Sequence, residues 1–180
     1  DVIWTRAYDD TTLAIKSDGS LWAWGHLAAA VNSPGVRMPR RVAAGTSSAA
    51  AVPGLLAAVT QNGDLMVYED GLEAAPIKYA SGIADVAICA GASSYGTPPA
   101  SNTIKDIVNN LAKSDYLTLY IVYALGEDGT VTRYFNTRDG LISQQIARDT
   151  ASITPSAYVN CDQLLLVQKD GTLLRGDGGN

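Results

Sequence analysis

The sequence predicts an all-β chain, a β-propeller built of about four blade repeats with one short helical insertion. Three observations predict it: a hairpin signature that occurs four times, a recurrence of about 44 residues, and strand-like elements flanking the hairpins.

The signature is an apolar run, a variable pair, Asp-Gly or Asn-Gly, one more residue, and a second apolar stretch. It occurs as TTLAIKSDGSLWAWG at 11–25, LLAAVTQNGDLMVY at 55–68, IVYALGEDGTVTRY at 121–134 and LLLVQKDGTLLR at 164–175. The turn pairs are Asp18-Gly19, Asn62-Gly63, Asp128-Gly129 and Asp170-Gly171. Glycine takes a positive φ at no steric cost, and Asp or Asn tolerates it better than most residues, so each pair predicts a two-residue type I′ hairpin loop. The run before each turn is continuously apolar, as in a strand buried on both faces, and the stretch after it alternates.

The turn glycines are spaced by 44, 66 and 42 residues. The long interval contains an insertion from Tyr95 to Tyr116, and without it the period returns to about 44. Further strand-like elements precede hairpins as DVIWTRA at 1–7, DVAICAG at 85–91 and DTASITP at 149–155. A fourth strand per repeat is suggested by MPRRV at 38–42 and APIKYA at 75–80. The expected domain is a single propeller-like unit over 1–180, with blades at about 1–43, 44–84, 85–148 and 149–180 and the insertion at 95–116. Within the insertion, SSYGTPPASN at 93–102 reads as a turn-rich loop. TIKDIVNNLAK at 103–113 places Ile104, Ile107, Val108 and Leu111 at helical spacing behind a candidate cap, Asn102.

Four blades leave closure open. The array is a partial propeller completed by another chain, a four-bladed ring, or a unit that pairs with itself as a homo-oligomer.

These residues carry a family resemblance. TLAIKSDGSLWAWG, within 11–25, resembles the core of the regulator of chromosome condensation repeat, and PIKYASGIADVAICAG at 76–91 resembles its blade-to-blade junction. The resemblance implies propeller blades and a protein-binding surface. The His usual before the Thr-Leu strand is replaced by Asp10-Thr11, and the Trp-Gly ending survives only as Trp24-Gly25, with Tyr68, Tyr134 and Arg175 in later repeats. The family's chromatin-binding members fit poorly with an acidic chain, and its photoreceptor members need more indoles than Trp4, Trp22 and Trp24.

Composition narrows the function classes. Apolar residues make up 47% and charged residues 17% of the 180, which argues for an ordered core. A formal charge of -5 argues against nucleic acid as a partner, since that contact rests on clustered Lys and Arg. No apolar run reaches the roughly 20 residues of a membrane-spanning helix. No leader segment is read in the chain. Its compartment stays open, with an extracellular or cell-surface setting, on a bacterial cell in one reading, among the options.

Candidate chemistry is sparse. His26 has no nucleophile elbow near it and reads as a polar loop residue. No zinc-ligand or calcium-loop spacing occurs, and GASSYG at 91–96 lacks the lysine of a phosphate loop. No metal, cofactor or catalytic residue is therefore expected. Glu69-Asp70-Gly71 and Glu127-Asp128-Gly129 read as solvated turns. Cys89 and Cys161 can be bridged or free. Trp22, Trp24, Met66, Tyr68 and Tyr134 read as packing between blades, with an aromatic ring for sugar or peptide as the alternative.

The leading expectation is a non-catalytic propeller that presents loops to a protein or other ligand. Tyr95, Pro98, Pro99 and Asn102 of the insertion are the candidate contact residues. The alternatives are a propeller lyase or glycosidase with a channel site, and a structural repeat of a larger surface protein.

Overall fold

The computed structural model describes residues 1–8, 11–25, 36–52, 54–69, 72, 74–91, 119–137, 140–155 and 164–176. Among the described residues every regular element is a β-strand. The first blade is β1 (Val2–Tyr8), β2 (Thr11–Lys16), β3 (Leu21–Gly25) and β4 (Val36–Ala43). The second is β5 (Thr46–Val52), β6 (Leu55–Thr60), β7 (Leu65–Tyr68) and β8 (Ile77–Ala80). The third is β9 (Ile83–Gly91), β10 (Leu119–Gly126), β11 (Val131–Thr137) and β12 (Gly140–Ala147). The fourth has three strands, β13 (Thr150–Pro155), β14 (Leu164–Gln168) and β15 (Leu173–Gly176). Each blade is a separate antiparallel meander whose strands pair in chain order. The chain is thus an all-β propeller-type array of four blades.

The second strand of each blade explains the continuous apolar runs. Leu13, Ala14 and Ile15 of β2, Leu55 to Val59 of β6, and Ile121 to Leu125 of β10 are all buried. All three lie mid-sheet, and β6 and β10 have a blade against each face, the setting in which a strand loses its polar side. The first strand of the second blade carries Ser48, Ala49, Ala50 and Ala51, all buried. It packs against β2 and β1 on one side and β9 on the other. Small side chains let these first strands converge.

Three apolar seams join successive blades. Leu13, Ile15 and Leu21 meet Leu56, Ala58 and Tyr68 in the first seam. Val59, Leu65 and Val67 meet Val86, Ile88, Val122 and Tyr134 in the second. Tyr123, Leu125 and Val131 meet Ile153, Leu164 and Leu166 in the third. A fully buried Leu or Val contributes about 1.5–3 kcal/mol and a typical hydrogen bond about 1 kcal/mol net, so burial supplies most of the seam energy. Hydrogen bonds set its register.

That register comes from a repeated stitch. The amides of Thr46, Ile83 and Thr150, each opening a blade, donate to the carbonyls of Gly19, Gly63 and Gly129 in the preceding blade's turn, at 2.8, 2.9 and 3.0 Å. Within each blade the residue ahead of the first strand accepts from the first residue of the blade's own turn. The pairs are Ser17 to Asp1, Gln61 to Gly45, Glu127 to Gly82 and Lys169 to Asp149, at 2.8, 2.6, 2.9 and 2.7 Å. The accepting residues Gly45, Gly82 and Asp149 have positive φ, and Asp149 at 52° is the one described non-glycine residue that does. All four first strands also carry a register irregularity at their start, at Val2/Trp4, Thr46/Ser48, Ile83/Asp85 and Thr150/Ser152.

The hairpin loops correct one expectation. Type I′ needs positive φ at both central residues, but only Gly19, Gly63, Gly129 and Gly171 have it, at 74°, 78°, 88° and 87°. The Gly19 amide donates to the Lys16 carbonyl and the Lys16 amide to the Ser20 carbonyl, so the loop is Ser17-Asp18-Gly19. The other blades repeat both bonds. This is a three-residue loop, a type I turn followed by a left-handed glycine. Asp-Gly and Asn-Gly serve both loop types. The additional loop residue is the one whose amide stitches the turn to the first strand.

The third blade begins at Ile83, two residues ahead of the Asp85 that seemed to open it. Asp85 lies inside β9 and accepts from its neighbour's amide, that of Val86, at 2.8 Å and from the Ser48 hydroxyl of the second blade. The insertion at 95–116 and the helix expected over 103–113 lie outside the described residues.

Candidate functional site

The meander order makes the two rims of the array unlike. The Asp-Gly and Asn-Gly turns and the blade junctions share one rim, because the second strand runs toward the end from which the first strand starts. Every first-to-second and third-to-fourth connection leaves the opposite rim.

The stitched rim is short and polar. Asp18 Oδ1 accepts from the Ser20 hydroxyl at 2.6 Å and the Ser20 amide at 2.9 Å. Asp128 accepts from the Thr130 amide at 2.8 Å and its hydroxyl at 3.0 Å, and Asp170 from the Thr172 amide at 2.8 Å. These bonds hold each carboxyl below the usual aspartate range: at Asp18 mainly through the Ser20 hydroxyl, at Asp128 and Asp170 mainly through the backbone amides. Asp64 is held low by Lys78, whose ammonium is 2.7 Å away, and by the Ser81 hydroxyl at 2.8 Å. Three of the turn residues named from the sequence, Asp18, Asp128 and Asp170, thus accept bonds from within their own turns.

The opposite rim carries the connections of variable length. They join β1 to β2 through residues 9–10, β5 to β6 through 53–54, β9 to β10 through 92–118 and β13 to β14 through 156–163. The roots of the longest, Gly91 and Leu119, pair directly with one another at the ends of β9 and β10. Tyr95, Pro98, Pro99 and Asn102 belong to that connection and lie outside the described residues, as do His26 and Cys161. Between β7 and β8, Glu69 accepts from the Tyr79 hydroxyl, and the Tyr79 ring meets Tyr134 at 5.8 Å and 51°. Burial, reinforced by Glu69, pushes the Tyr79 phenol well above its ordinary range.

The aromatic residues separate into two groups. Tyr68 and Tyr134 are buried in seams, the packing role expected of them. Trp22 and Trp24 are half-buried on the outer face of the first blade, where no preceding blade lies. Trp22 Nε1 donates to the Ser20 hydroxyl at 2.9 Å, and the Lys16 ammonium stands 5.4 Å from its ring centroid. Cys89 is free and buried in the third seam, and burial pushes its thiol up to about 11. Such a thiol is a packing group and a poor nucleophile at neutral pH. Two groups that sequence reasoning missed bridge the first strands. Arg6 donates to the Val86 carbonyl at 3.4 Å, and Ser48 donates to Asp85. Arg133 is buried in β11 and donates to Gln144 at 2.8 and 3.1 Å, and desolvation lowers its pKa. Among the described residues no group of three or more His, Cys, Asp or Glu could hold a metal ion.

No family model matches the chain, and no curated protein does. Among solved structures it is similar to the WD40 domain of SCAP from fission yeast, with a TM-score of 0.52 and 12% identity over 96% of this chain. It spans 38% of that chain. The computationally designed Ika8 protein matches with a TM-score of 0.41 and 11% identity, over 96% of this chain and 57% of the other. The four meanders, the three seams and the WD40 likeness together establish propeller-type blades as the fold.

Proposed function

We propose that the chain is a non-catalytic binding scaffold that presents the loops of one rim to a protein partner, with the 95–116 insertion as the principal contact. The observation that carries this reading is the difference between the rims. One is consumed by tight turns and stitches, and the other receives all the long connections from strand ends held rigid by the sheets. Tyr95, Pro98, Pro99 and Asn102 are the proposed contact residues because they concentrate an aromatic ring and pre-ordered backbone in that loop. The resemblance of 11–25 and 76–91 to regulator of chromosome condensation repeats supports a protein rather than a nucleic acid as the ligand, as does the charge of -5.

The experiment is excision of Tyr95 to Tyr116 with a short Gly-Ser bridge between the paired roots of β9 and β10. The reading expects a product that keeps the strand signature of its circular dichroism but no longer retains a partner captured by the intact chain. Retention of that partner at full affinity would remove the insertion from the site.

A further inference from the structure

The turn of the second blade differs from the others in how its side chain is held. In the other three the aspartate accepts from the amide two residues on: Ser20 to Asp18 at 2.9 Å, Thr130 to Asp128 at 2.8 Å and Thr172 to Asp170 at 2.8 Å. That bond clamps the side chain to its own turn. In the second blade the corresponding amide, that of Asp64, donates to Thr60 Oγ1 at 3.0 Å instead. Thr60 stands where the other blades have Lys16, Gly126 and Gln168, none of which offers a hydroxyl. The Asn62 side chain is left exposed, with no hydrogen-bond partner among the described residues.

An exposed, unclamped asparagine ahead of a glycine carries its own reaction. The Gly63 nitrogen gives up its proton to solvent and attacks the side-chain carbonyl carbon of Asn62. The new C–N bond closes a cyclic imide, and Nδ2 leaves as ammonia. Water then opens the imide at one of its two carbonyls, so one water is consumed for each ammonia released. The product is aspartate, or isoaspartate with the main chain running through the side-chain carbon. Glycine favours the attack because no Cβ blocks the approach, and asparagine is among the thermolabile residues. Here the Gly63 amide is tied only to the Thr60 carbonyl, at 2.9 Å, so freeing it means opening one bond of an exposed turn.

We propose that Asn62-Gly63 is a self-modification site at the joint between the second and third blades, and that its isoaspartyl product releases the stitch to Ile83. The two products differ in consequence. Aspartate is the residue type of the other three turns and leaves the main chain unchanged. Isoaspartate adds a carbon to the main chain between two anchors. These are the Gln61 amide, which donates to the Gly45 carbonyl at 2.6 Å, and the Gly63 carbonyl, which accepts from Ile83 at 2.9 Å. Gly63 has little room to absorb the extra length. A Cβ built on it would lie 3.2 Å from the Glu127 side chain and 3.4 Å from the Gly82 backbone.

Ageing the full chain in mildly alkaline buffer tests this, followed by peptide mapping that separates asparagine, aspartate and isoaspartate. Asn62 should convert in the folded chain within about tenfold of its rate in urea, since one turn bond stands in the way. Thr60→Val removes the hydroxyl that draws off the Asp64 amide and should slow conversion about fivefold, the factor that one net hydrogen bond supplies. Asp128→Asn places the same dipeptide in a clamped turn, where it should convert at least about fivefold more slowly than Asn62 of the same molecule. In the isoaspartyl fraction the Ile83 amide should lose its protection from hydrogen exchange while the Thr150 amide keeps its own. Conversion confined to the unfolded chain would overturn the site. Equal rates at positions 62 and 128 would overturn the role of the missing clamp, and an Ile83 amide still protected in the isoaspartyl fraction would overturn the release of the stitch.

Discussion

The carbonyl of Gly63 accepts the amide of Ile83 at 2.9 Å, and this one bond ties the turn of the second blade to the first residue of the third. Its counterparts at Gly19 with Thr46 and Gly129 with Thr150 make the turn glycine a joint between blades as well as the corner of a hairpin. The glycine is needed twice over there, for its positive φ and for the space that the next blade occupies.

Substitutions at two glycines separate those requirements. A Cβ on Gly19 would stand 3.2 Å from the Gly45 backbone and 2.8 Å from the Gln61 side chain at a φ of +74°, whereas one on Gly82, at +70°, meets nothing within 4 Å. Gly82→Ala should cost about 1 kcal/mol from φ alone, and Gly19→Val at least about 2 kcal/mol from strain and crowding together. Urea unfolding of the two variants measures the difference. Equal losses would show that the seam does not press on the turn.

Acid stability should depend on the turn carboxylates. Asp18, Asp128 and Asp170 are held below the ordinary value of 3.8 in the folded chain. A depressed folded pKa contributes stability that is present above the unfolded value and lost as pH falls through the folded one. Melting temperature should therefore drop as pH falls below about 4, and changing all three residues to Asn should flatten that drop. Asn62 occupies the same place in the second blade, so the variant should still fold at neutral pH while losing the increment the carboxylates contribute there. An acid slope unchanged in the variant would assign it to other carboxylates.

Cys89 should resist alkylation in the native state. Its thiol lies in the third seam and is raised to about 11, so almost no thiolate exists at pH 8. Peptide mapping after iodoacetamide treatment should find Cys89 unmodified until denaturant is added. Rapid native modification would mean that the third and fourth blades do not pack.

Much of this architecture was legible because its signals are local. Asp18-Gly19 and its three counterparts mark hairpins within a few residues, and the apolar runs of β6 and β10 declare strands covered on both faces. The loop type was not legible, because Asp-Gly suits two-residue and three-residue loops alike and only the Lys16 to Ser20 bond separates them. The junction residues Gly45, Gly82 and Asp149 escaped notice because their role is defined by a turn distant in sequence. Asp85, a more conspicuous residue, drew the start of the third blade two positions too far along. The unequal rims also followed only from strand order. The candidate contact residues Tyr95, Pro98, Pro99 and Asn102 rest on loop composition and on the rim from which their loop departs.

Native-state hydrogen exchange at three amides tests the stacked-blade account most directly. Thr46, Ile83 and Thr150 open their blades, and in an array of independent hairpins their amides would face solvent. Bonded to Gly19, Gly63 and Gly129, they should exchange as slowly as the ladder amides of β6 and β10. Exchange at the rate of an unstructured chain at all three would contradict the stitched array.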